Sequence, residues 1–421
     1  MSGIAPPAPR RTGGRSTPPI VRQAFVAILA LWVVMPLALS GRVAQDAVPY
    51  VAAGHLARTH PAEVYAARNG DLFDLEPTFR RKWCEVAPVG TDCDDVAVAY
   101  VAAPPVIPLA TALAMFGDRG GALVMQFGAS VMLAVGMWLL WKRLAHRTRH
   151  ASRLLLATAV LLTPMAMGPI GLGQTSPILF LSVCLGLGAA RSRRSVASAF
   201  AWAAAAALKI FPGALVLLLV WRKRWRTIGL AAAALAALSL VSLLIVPIGV
   251  WGDFIRVTLE LDGHTSTNPY NGAINAFIVR LFGSPDSTVV AIAARAVALA
   301  LGGAVCWFGM RGTDDDTRWA AGYVALLIVT PLVWWHYTWV IVGALGVVLA
   351  GQRRLDDRTL AVLPLAALVS VVPSIPNANG HSWPQIQAVL LLVGAATFCV
   401  LARRRAMFDR PVAGRGQAEV L

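Results

Sequence analysis

Long apolar stretches separated by short runs of arginine and lysine constrain this sequence more than any other feature. Stretches such as 227–249 and 287–310 are long enough to cross a bilayer as helices, at about 20 residues per span. The chain is 57% hydrophobic and only 14% charged, whereas a soluble domain is nearer half apolar and a quarter charged. The pattern predicts an all-α, polytopic transmembrane protein with about 10–13 membrane helices.

The net charge of +16 would suggest a nucleic-acid partner in a soluble protein. Here the positive charge lies in short loops between apolar stretches, where it sets the orientation of helices in the membrane. We therefore exclude nucleic acid and expect membrane lipids around the chain. The basic residues cluster at Arg10–Arg22, Lys142–Arg153, Arg191–Arg194, Arg222–Arg226, Arg353–Arg358 and Arg403–Arg405.

Placing every basic cluster in the cytoplasm gives a nearly consistent path through the cell membrane. The path has external loops at 41–96 and 251–286, and it leaves both termini inside. Residues 1–22 and 406–421 are predicted to be cytoplasmic tails, the first of them disordered, and 23–405 the transmembrane domain. The first apolar run resembles the core of a signal peptide but has no clear cleavage site, so we interpret it as a retained helix.

Two apolar segments contain breaks that a simple spanning helix would not have. Ala97–Phe116 carries Pro104, Pro105 and Pro108, and Val196–Trp221 is interrupted at 209–212. Proline removes a backbone donor and kinks a helix, and such breaks occur at membrane depth only where protein or a water-filled cavity covers them. We predict that both segments are broken or re-entrant helices.

The first external loop begins with Asp46, which has two interpretations. It could cap a helix, since aspartate is a good N-cap residue, or it could act as a general base on an acceptor hydroxyl. The stretch Asp46–Ala57 has helical apolar periodicity and is predicted to lie along the membrane interface. Cys84 and Cys93 follow in the same loop and either form a disulfide or remain two thiols.

Two further polar residues lie within or between apolar stretches. Lys209 is an ionisable residue in an apolar segment, which makes it a functional candidate for pairing with a lipid phosphate or a carboxylate. Its alternative is to extend toward the cytoplasmic interface. Gln174 follows Gly173 at a turn between two helices, where it either belongs to a simple hairpin or binds sugar hydroxyls.

The remaining polar candidates lie in later external segments. Asn268 and Asn271 flank Pro269 and Tyr270, so they either form a turn, which such residues favour, or bind a sugar through their amides. His336 follows two tryptophans that are typical of an interfacial aromatic belt. A histidine there could instead bind a phosphate or assist proton transfer.

The sequence contains no P-loop, no dinucleotide-binding glycine motif and no zinc motif. These absences argue against a nucleotide-powered pump and against a soluble nucleotide-sugar enzyme. The polar candidates gather on the predicted external side, where nucleotide sugars are not available. A reaction there requires a substrate already held in the membrane.

Several blocks in order along the chain resemble the integral membrane GT-C glycosyltransferases of family 87, the DUF2029 group. That family includes mycobacterial polyprenyl-phosphomannose-dependent alpha-mannosyltransferases and related arabinofuranosyltransferases. Where its members often have paired histidines or Ser-Pro, this chain has His336-Tyr337 and Thr330-Pro331. The matching blocks are Asp46 to Tyr50 with Val64-Tyr65, Tyr100 to Pro105, Gly173-Gln174, Ala206 to Pro212 with Arg222 to Arg226, and Thr330-Pro331 with Trp335-His336.

The resemblance implies a polyprenyl-phosphate sugar as donor, a glycolipid or cell-envelope glycan as acceptor, and inverting transfer without a metal or other cofactor. It implies that Asp46 is the general base. We assign donor or substrate binding to Tyr50, Gln174, Lys209, Asn268, Asn271 and His336. Mannose is the expected sugar and arabinofuranose the alternative; a lipid-linked sugar transporter or flippase and a non-catalytic partner in envelope assembly are the other classes.

Overall fold

The structure is a computed structural model of the 421-residue chain. It describes the chain from residue 17 to residue 346 with gaps in the loops and near its end. The described residues are 17–39, 45–68, 71–88, 91–93, 97–145, 149–191, 195–264, 271–282, 288–311, 315–334, 337, 340, 342–344 and 346.

Helices dominate the described residues, as predicted. Their bounds are α1 Pro19–Leu39, α2 Val48–Thr59, α3 Pro77–Val86, α4 Ile107–Met115, α5 Asp118–Leu144, α6 Arg149–Leu172, α7 Ser176–Arg191, α8 Ser195–Leu208, α9 Val216–Trp221, α10 Trp225–Ile245, α11 Gly249–His264, α12 Ile274–Phe282, α13 Thr288–Met310 and α14 Asp315–Val329. Short 3-10 helices cover Pro61–Glu63, Pro104–Val106 and Phe211–Leu215. The exception to an all-α fold is a small antiparallel hairpin of β1 (Ala67–Arg68) and β2 (Asp71–Leu75).

Four described helices are long and apolar enough to span a membrane, namely α1, α5, α10 and α13. Within α6, the segments Ala151–Thr163 and Ala166–Leu172 meet at a bend of 49° and would make a fifth span. The spanning helices expose large apolar side chains such as Leu244, at 87%, and Val289, at 77%, which suits contact with lipid rather than water. The polytopic, helical membrane fold predicted from the sequence is therefore confirmed.

The first helices are arranged with two distinct ends. The Thr17 hydroxyl donates to the carbonyl of Ala145 at 3.2 Å, so the start of α1 lies beside the end of α5, where Lys142 and Arg143 are found. The backbone N–H of Asp46 donates to the carbonyl of Leu172 at 3.0 Å. Asp46 therefore lies against the end of α6, at what we term the Asp46 end of the bundle.

The helix α2, whose periodicity predicted an interfacial position, is largely enclosed by protein. Most of its residues are buried, and Gly54 packs so closely on α4 that a Cβ there would lie 2.0 Å from the carbonyl oxygen of Ala110. His55 Nε2 lies 2.9 Å from Asp118 Oδ1, at the start of α5, within hydrogen-bond distance. The helix therefore packs on α4 and lies beside the start of α5, and its position along the membrane interface stays a prediction.

The proline-rich segment 97–116 is interrupted at its first prolines. Its first residues lie near Asp46, and α4 ends just before Asp118, which contacts α2. The prolines at 104 and 105 begin a 3-10 turn, where their missing N–H groups cost little. The segment is therefore a broken helix, one of the two forms predicted for it, and its re-entry into the membrane stays a prediction.

The second broken segment forms a helical hairpin with Lys209 at its tip. The Trp202 indole N–H donates to the carbonyl of Pro212 at 2.6 Å. In a continuous helix those residues would be separated by about 15 Å, so the chain must fold back between them. The Ala103 N–H donates to the carbonyl of Ala207 at 3.2 Å and joins this hairpin to the other broken segment.

Cys84 and Cys93 are both thiols in the structure. Both are partly buried against the apolar cluster that includes Phe79 and Trp83, and the Cys93 Sγ contacts the carbonyl of Thr91 at 3.6 Å. Their oxidation to a disulfide stays a prediction.

Candidate functional site

A cavity of about 210 Å³ opens at the Asp46 end of the bundle, and we call it the Asp46 cavity. It brings together residues from the first loop, both broken segments, the α6–α7 turn and the segment after α14. The lining residues are Asp46, Pro49, Tyr50, Leu72, Val98, Ala99, Tyr100, Val101, Leu172, Gln174, Thr175, Lys209, Leu332 and Trp334.

Asp46 lies in the turn that precedes α2. The residue directly before that helix is Ala47, and no side chain caps its N-terminus. The capping interpretation of Asp46 is therefore wrong. The aspartate is instead fixed through its backbone, by the bond from its N–H to Leu172, and its side chain lines the cavity.

The turn between α6 and α7 fits tightly against the aspartate. Gly173 has a φ of 68°, and a Cβ on it would lie 2.7 Å from the Cβ of Ala47. Glycine is therefore required at this position by both backbone conformation and space. The close approach brings Gln174 to Asp46, and the Gln174 amide Nε2 donates a hydrogen bond to Asp46 Oδ2.

The surroundings of Asp46 make its carboxyl group a stronger base than an exposed aspartate. Burial raises its pKa from 3.8 to about 6, against the opposing effects of the Lys209 charge and the Gln174 hydrogen bond. A carboxylate with a pKa near the working pH is well suited to accept a proton and still be ionised beforehand. The local environment therefore gives Asp46 the properties of a general base.

Lys209 contributes a cation to the same cavity. Its Nζ lies 5.6 Å from the centroid of the Tyr337 ring and interacts electrostatically with Asp46 and Tyr50. The turn after α8 directs the side chain toward the Asp46 end, so the cytoplasmic snorkelling interpretation does not apply. The cation–π contact helps to hold the ammonium group where water is scarce.

Three tyrosines form an aromatic wall beside Asp46. Tyr50 is hydrogen bonded to the Thr175 side chain, and its ring meets the Tyr100 ring edge-on at 5.3 Å. Tyr100 in turn lies 5.5 Å from Tyr65, whose hydroxyl donates to the carbonyl of Ala102 at 2.7 Å. This wall connects the first loop to the proline-rich segment 97–116 and shapes the cavity.

Asn271 is placed elsewhere and has a structural environment. Its side chain is fully buried, and its Nδ2 donates to the carbonyl of Pro331 at 2.7 Å. Its Oδ1 accepts from the N–H groups of Ala273 at 3.0 Å and Val333 at 2.9 Å. The turn interpretation accounts for this residue, because its amide is occupied by backbone groups and does not line the Asp46 cavity.

Asn268 and His336 lie outside the described residues, so their substrate-binding roles stay predictions. The cavity also contains residues to which sequence reasoning gave no separate role, namely Thr175, Tyr100 and Trp334. Tyr100 belonged to a block that carried the family resemblance, and Trp334 lies two residues before His336. Among the described residues, no group of three or more His, Cys, Asp or Glu side chains could hold a metal ion.

The arrangement can support transfer of a group between two oxygen atoms. A carboxylate with a raised pKa, a nearby cation and an aromatic wall share one cavity. The carboxylate can take a proton from an attacking hydroxyl, and the cation can stabilise charge on a departing oxygen.

The model of glycosyltransferase family 87 matches residues 100–334, which is more than half of the chain. The match includes Tyr100, Gln174 and Lys209, whereas Asp46 and Tyr50 precede it. No curated protein and no solved structure matches the chain. Because the family match covers more than half of the chain and includes Tyr100, Gln174 and Lys209 of the Asp46 cavity, the chain belongs to glycosyltransferase family 87.

Proposed function

We propose that this glycosyltransferase moves a sugar, with mannose as the first candidate, from a polyprenyl-phosphate donor to a lipid-linked or cell-envelope glycan acceptor. The reaction takes place at the external face of the cell membrane. The observation that carries the proposal is the joint presence of Asp46 and Lys209 in one cavity of a membrane-embedded protein.

Asp46 acts as the general base in this proposal. An acceptor hydroxyl enters the cavity and transfers its proton to the Asp46 carboxylate while its oxygen forms a bond to the anomeric carbon. The bond between that carbon and the donor phosphate oxygen breaks at the opposite face. The sugar is inverted, and Asp46 later releases the proton to water.

Lys209 stabilises the leaving group. Polyprenyl phosphate departs with an additional negative charge on its bridging oxygen, and a cation aimed at that position lowers the barrier. The ammonium group lies over Tyr337 and faces a cavity that Asp46 shares. A fixed lysine can supply the positive charge that a divalent metal supplies in other phosphate-transfer sites, which supports a reaction without a metal.

The membrane setting supports a lipid donor. The cavity lies among helices whose outer surfaces are apolar and exposed, so a polyprenyl chain in the bilayer can bring its phosphate to the cavity edge. Arabinofuranosyl transfer from a similar lipid uses the same chemistry and is the second candidate for the sugar.

A lipid-linked sugar transporter is the rival from another class, and the hairpin with Lys209 at its tip favours it. Broken helices at a binding site are common in transporters. A transporter has no use for a proton acceptor at the reacting carbon, so the two functions differ in their dependence on the Asp46 carboxylate.

The decisive experiment uses membranes that contain the full-length protein and labelled polyprenyl-phosphate mannose or, separately, the labelled arabinose donor. We expect one donor to yield a new labelled glycolipid or glycan. Asp46→Asn should bind that donor and yet lose at least about a hundredfold in turnover, since it keeps the shape but not the basicity of the residue. Near-normal turnover in Asp46→Asn would remove the assignment.

Lys209→Met tests the leaving-group role, with Lys223→Met as the matched control. Lys223 is an exposed lysine in the turn after α9, so its loss should leave activity unchanged. Lys209→Met should lower turnover by about tenfold or more, because the departing phosphate loses its cation. Equal activity of the two variants would exclude Lys209 from the reaction.

A further inference from the structure

The end of α6 and the turn that follows it contact both the backbone and the side chain of Asp46. The carbonyl of Leu172 accepts from the Asp46 backbone, and the Gln174 amide donates to its carboxylate. Gln174 is only 8% exposed, and it follows a glycine whose conformation and contact with Ala47 fix the turn. The amide therefore reaches Asp46 from a rigid support.

We propose that Gln174 is the positioning residue for the general base: its amide holds Oδ2, keeps the carboxylate ionised and leaves Oδ1 to take the acceptor proton. This inference rests on the proposed function, in which Asp46 is that base. It replaces the sequence-based interpretation of Gln174 as a residue that binds sugar hydroxyls.

The electrostatic surroundings of Asp46 explain why such a donor is needed. Burial favours the neutral acid, while Lys209 on the broken-helix hairpin and Gln174 on the turn favour the carboxylate. Tyr50, from α2, and Tyr100, from the proline-rich segment 97–116, line the same cavity. A hydrogen bond to the charged form lowers a carboxyl pKa, so loss of the Gln174 amide should make Asp46 harder to ionise.

The chain offers a closely matched control in Gln126. That glutamine is 2% exposed in α5, and its Nε2 donates to the carbonyl of Gly171 at 2.6 Å. It supports the end of the same helix, α6, but bonds to a backbone carbonyl and does not line the Asp46 cavity. The pair Gln174→Met and Gln126→Met therefore separates support of the carboxylate from support of the helix end.

The test is the pH profile of kcat/KM for full-length protein in membranes, with the donor and acceptor identified for wild type. Activity of the wild type should rise as Asp46 ionises. In Gln174→Met the acidic limb should move upward by about one pH unit, which is about a tenfold loss on that limb and a smaller loss at high pH. In Gln126→Met the acidic limb of the pH profile should lie at the same pH as in the wild type, even if the variant is less stable.

Gln174→Glu provides a second variant if Gln174→Met fails to fold. It preserves the length of the side chain but places a second carboxylate beside Asp46, which disfavours ionisation of both. Its acidic limb should move further than that of Gln174→Met. The positioning role would be overturned if a folded Gln174 variant lost kcat/KM equally at all pH values and its acidic limb did not move.

The alternative role of Gln174, in sugar binding, gives a different result. A lost sugar contact raises the KM for donor or acceptor without moving the acidic limb, and that outcome also overturns the proposal. Failure of the underlying function is recognised separately, because Asp46→Asn would then retain turnover. An inactive Asp46→Asn together with unshifted limbs in the Gln174 variants removes the role of Gln174 alone.

Discussion

The turn at Gly173–Thr175 and the turn at Asn271–Ala273 look alike in sequence and differ in what their amides contact. Each follows or precedes a helix, and each carries a carboxamide that could bind a sugar. Gln174 donates to a carboxylate in a cavity, whereas the fully buried Asn271 side chain bonds to the backbone of Ala273, Pro331 and Val333. A carboxamide near a membrane surface thus acquires its role from its partner, and the two turns should respond differently to mutation.

The largest expected effect on stability is that of Asn271→Leu. The change leaves the N–H groups of Ala273 and Val333 without their acceptor, and each buried unpaired group costs about 1–3 kcal/mol. We expect a loss of about 2–4 kcal/mol in folding free energy, seen as a lower unfolding temperature and yield in detergent. Turnover per folded molecule should stay near that of wild type.

Asn275→Leu is the control for that change. Asn275 is 8% exposed in α12, and its Oδ1 has no hydrogen-bond partner among the described residues. Replacement of Asn275 should lower the folding stability far less than replacement of Asn271. If both variants lost stability equally, the contrast between bonded and unbonded amides would not hold.

The second effect concerns the stability of the Asp46 turn as a function of pH. The folded protein retains the Asp46 proton up to a pKa of about 6, whereas the unfolded chain releases it near 3.8. Retention of this proton stabilises the folded state. That contribution to the free energy of unfolding is fully present below about pH 4 and is lost as the pH rises through about 6. Asp46→Asn should therefore be more stable than wild type at pH 8, by at most about 3 kcal/mol.

Thermal unfolding at pH 4.5 and pH 8 measures this difference. The stabilisation of Asp46→Asn should shrink toward the lower pH, while the variant remains inactive at both values. A constant offset between the two proteins would mean that the Asp46 carboxyl does not titrate in this window.

A third, smaller effect is expected from Gly173→Ala. Alanine must adopt a φ of 68° and meets the Cβ of Ala47 at 2.7 Å, and left-handed strain alone costs about 1 kcal/mol. We expect a loss of about 2 kcal/mol in stability together with reduced turnover, because the turn must move away from Asp46. Assays of unfolding temperature and kcat on one preparation would measure both.

Gly171→Ala is the matched variant on the preceding turn of α6. A Cβ there would meet Leu39 Cδ1 at 3.4 Å, an ordinary contact, and alanine is a better helix former than glycine. It should be neutral or stabilising and fully active. A similar loss of turnover in both variants would show that turnover does not depend specifically on the backbone conformation and close contact of residue 173.

The smallest effect should come from the aromatic wall, where the same contrast recurs between two hydroxyls. Tyr65→Phe removes the bond to the carbonyl of Ala102 and should cost about 1 kcal/mol. The Tyr100 hydroxyl is buried with no hydrogen-bond partner among the described residues, so Tyr100→Phe should be neutral or slightly stabilising. Both variants keep the aromatic ring, so their unfolding temperatures compare the two hydroxyls directly. An unfolding temperature of Tyr100→Phe below that of Tyr65→Phe would contradict the prediction.

The sequence identified Asp46, Gln174 and Lys209 as separate candidates but could not say that they share a cavity. They are separated by more than 30 residues at each step, and no local periodicity relates them. The periodicity of α2 likewise could not show that protein encloses the helix, since periodicity reports which face is apolar and not which neighbour covers it. The roles of Thr175 and Trp334 depend on packing between distant segments and had no local signal.

By itself the sequence determined that the chain is a helical membrane protein, because backbone groups in lipid must be paired within helices and apolar length sets each span. It also placed the breaks at 97–116 and 209–212, because proline and an intramembrane lysine have local costs. Only the tertiary structure decided that Gln174 contacts Asp46 while Asn271 contacts backbone. Close approach at Gly173 and Gly54 brings distant segments together, and such contacts are properties of packed surfaces rather than of any one segment.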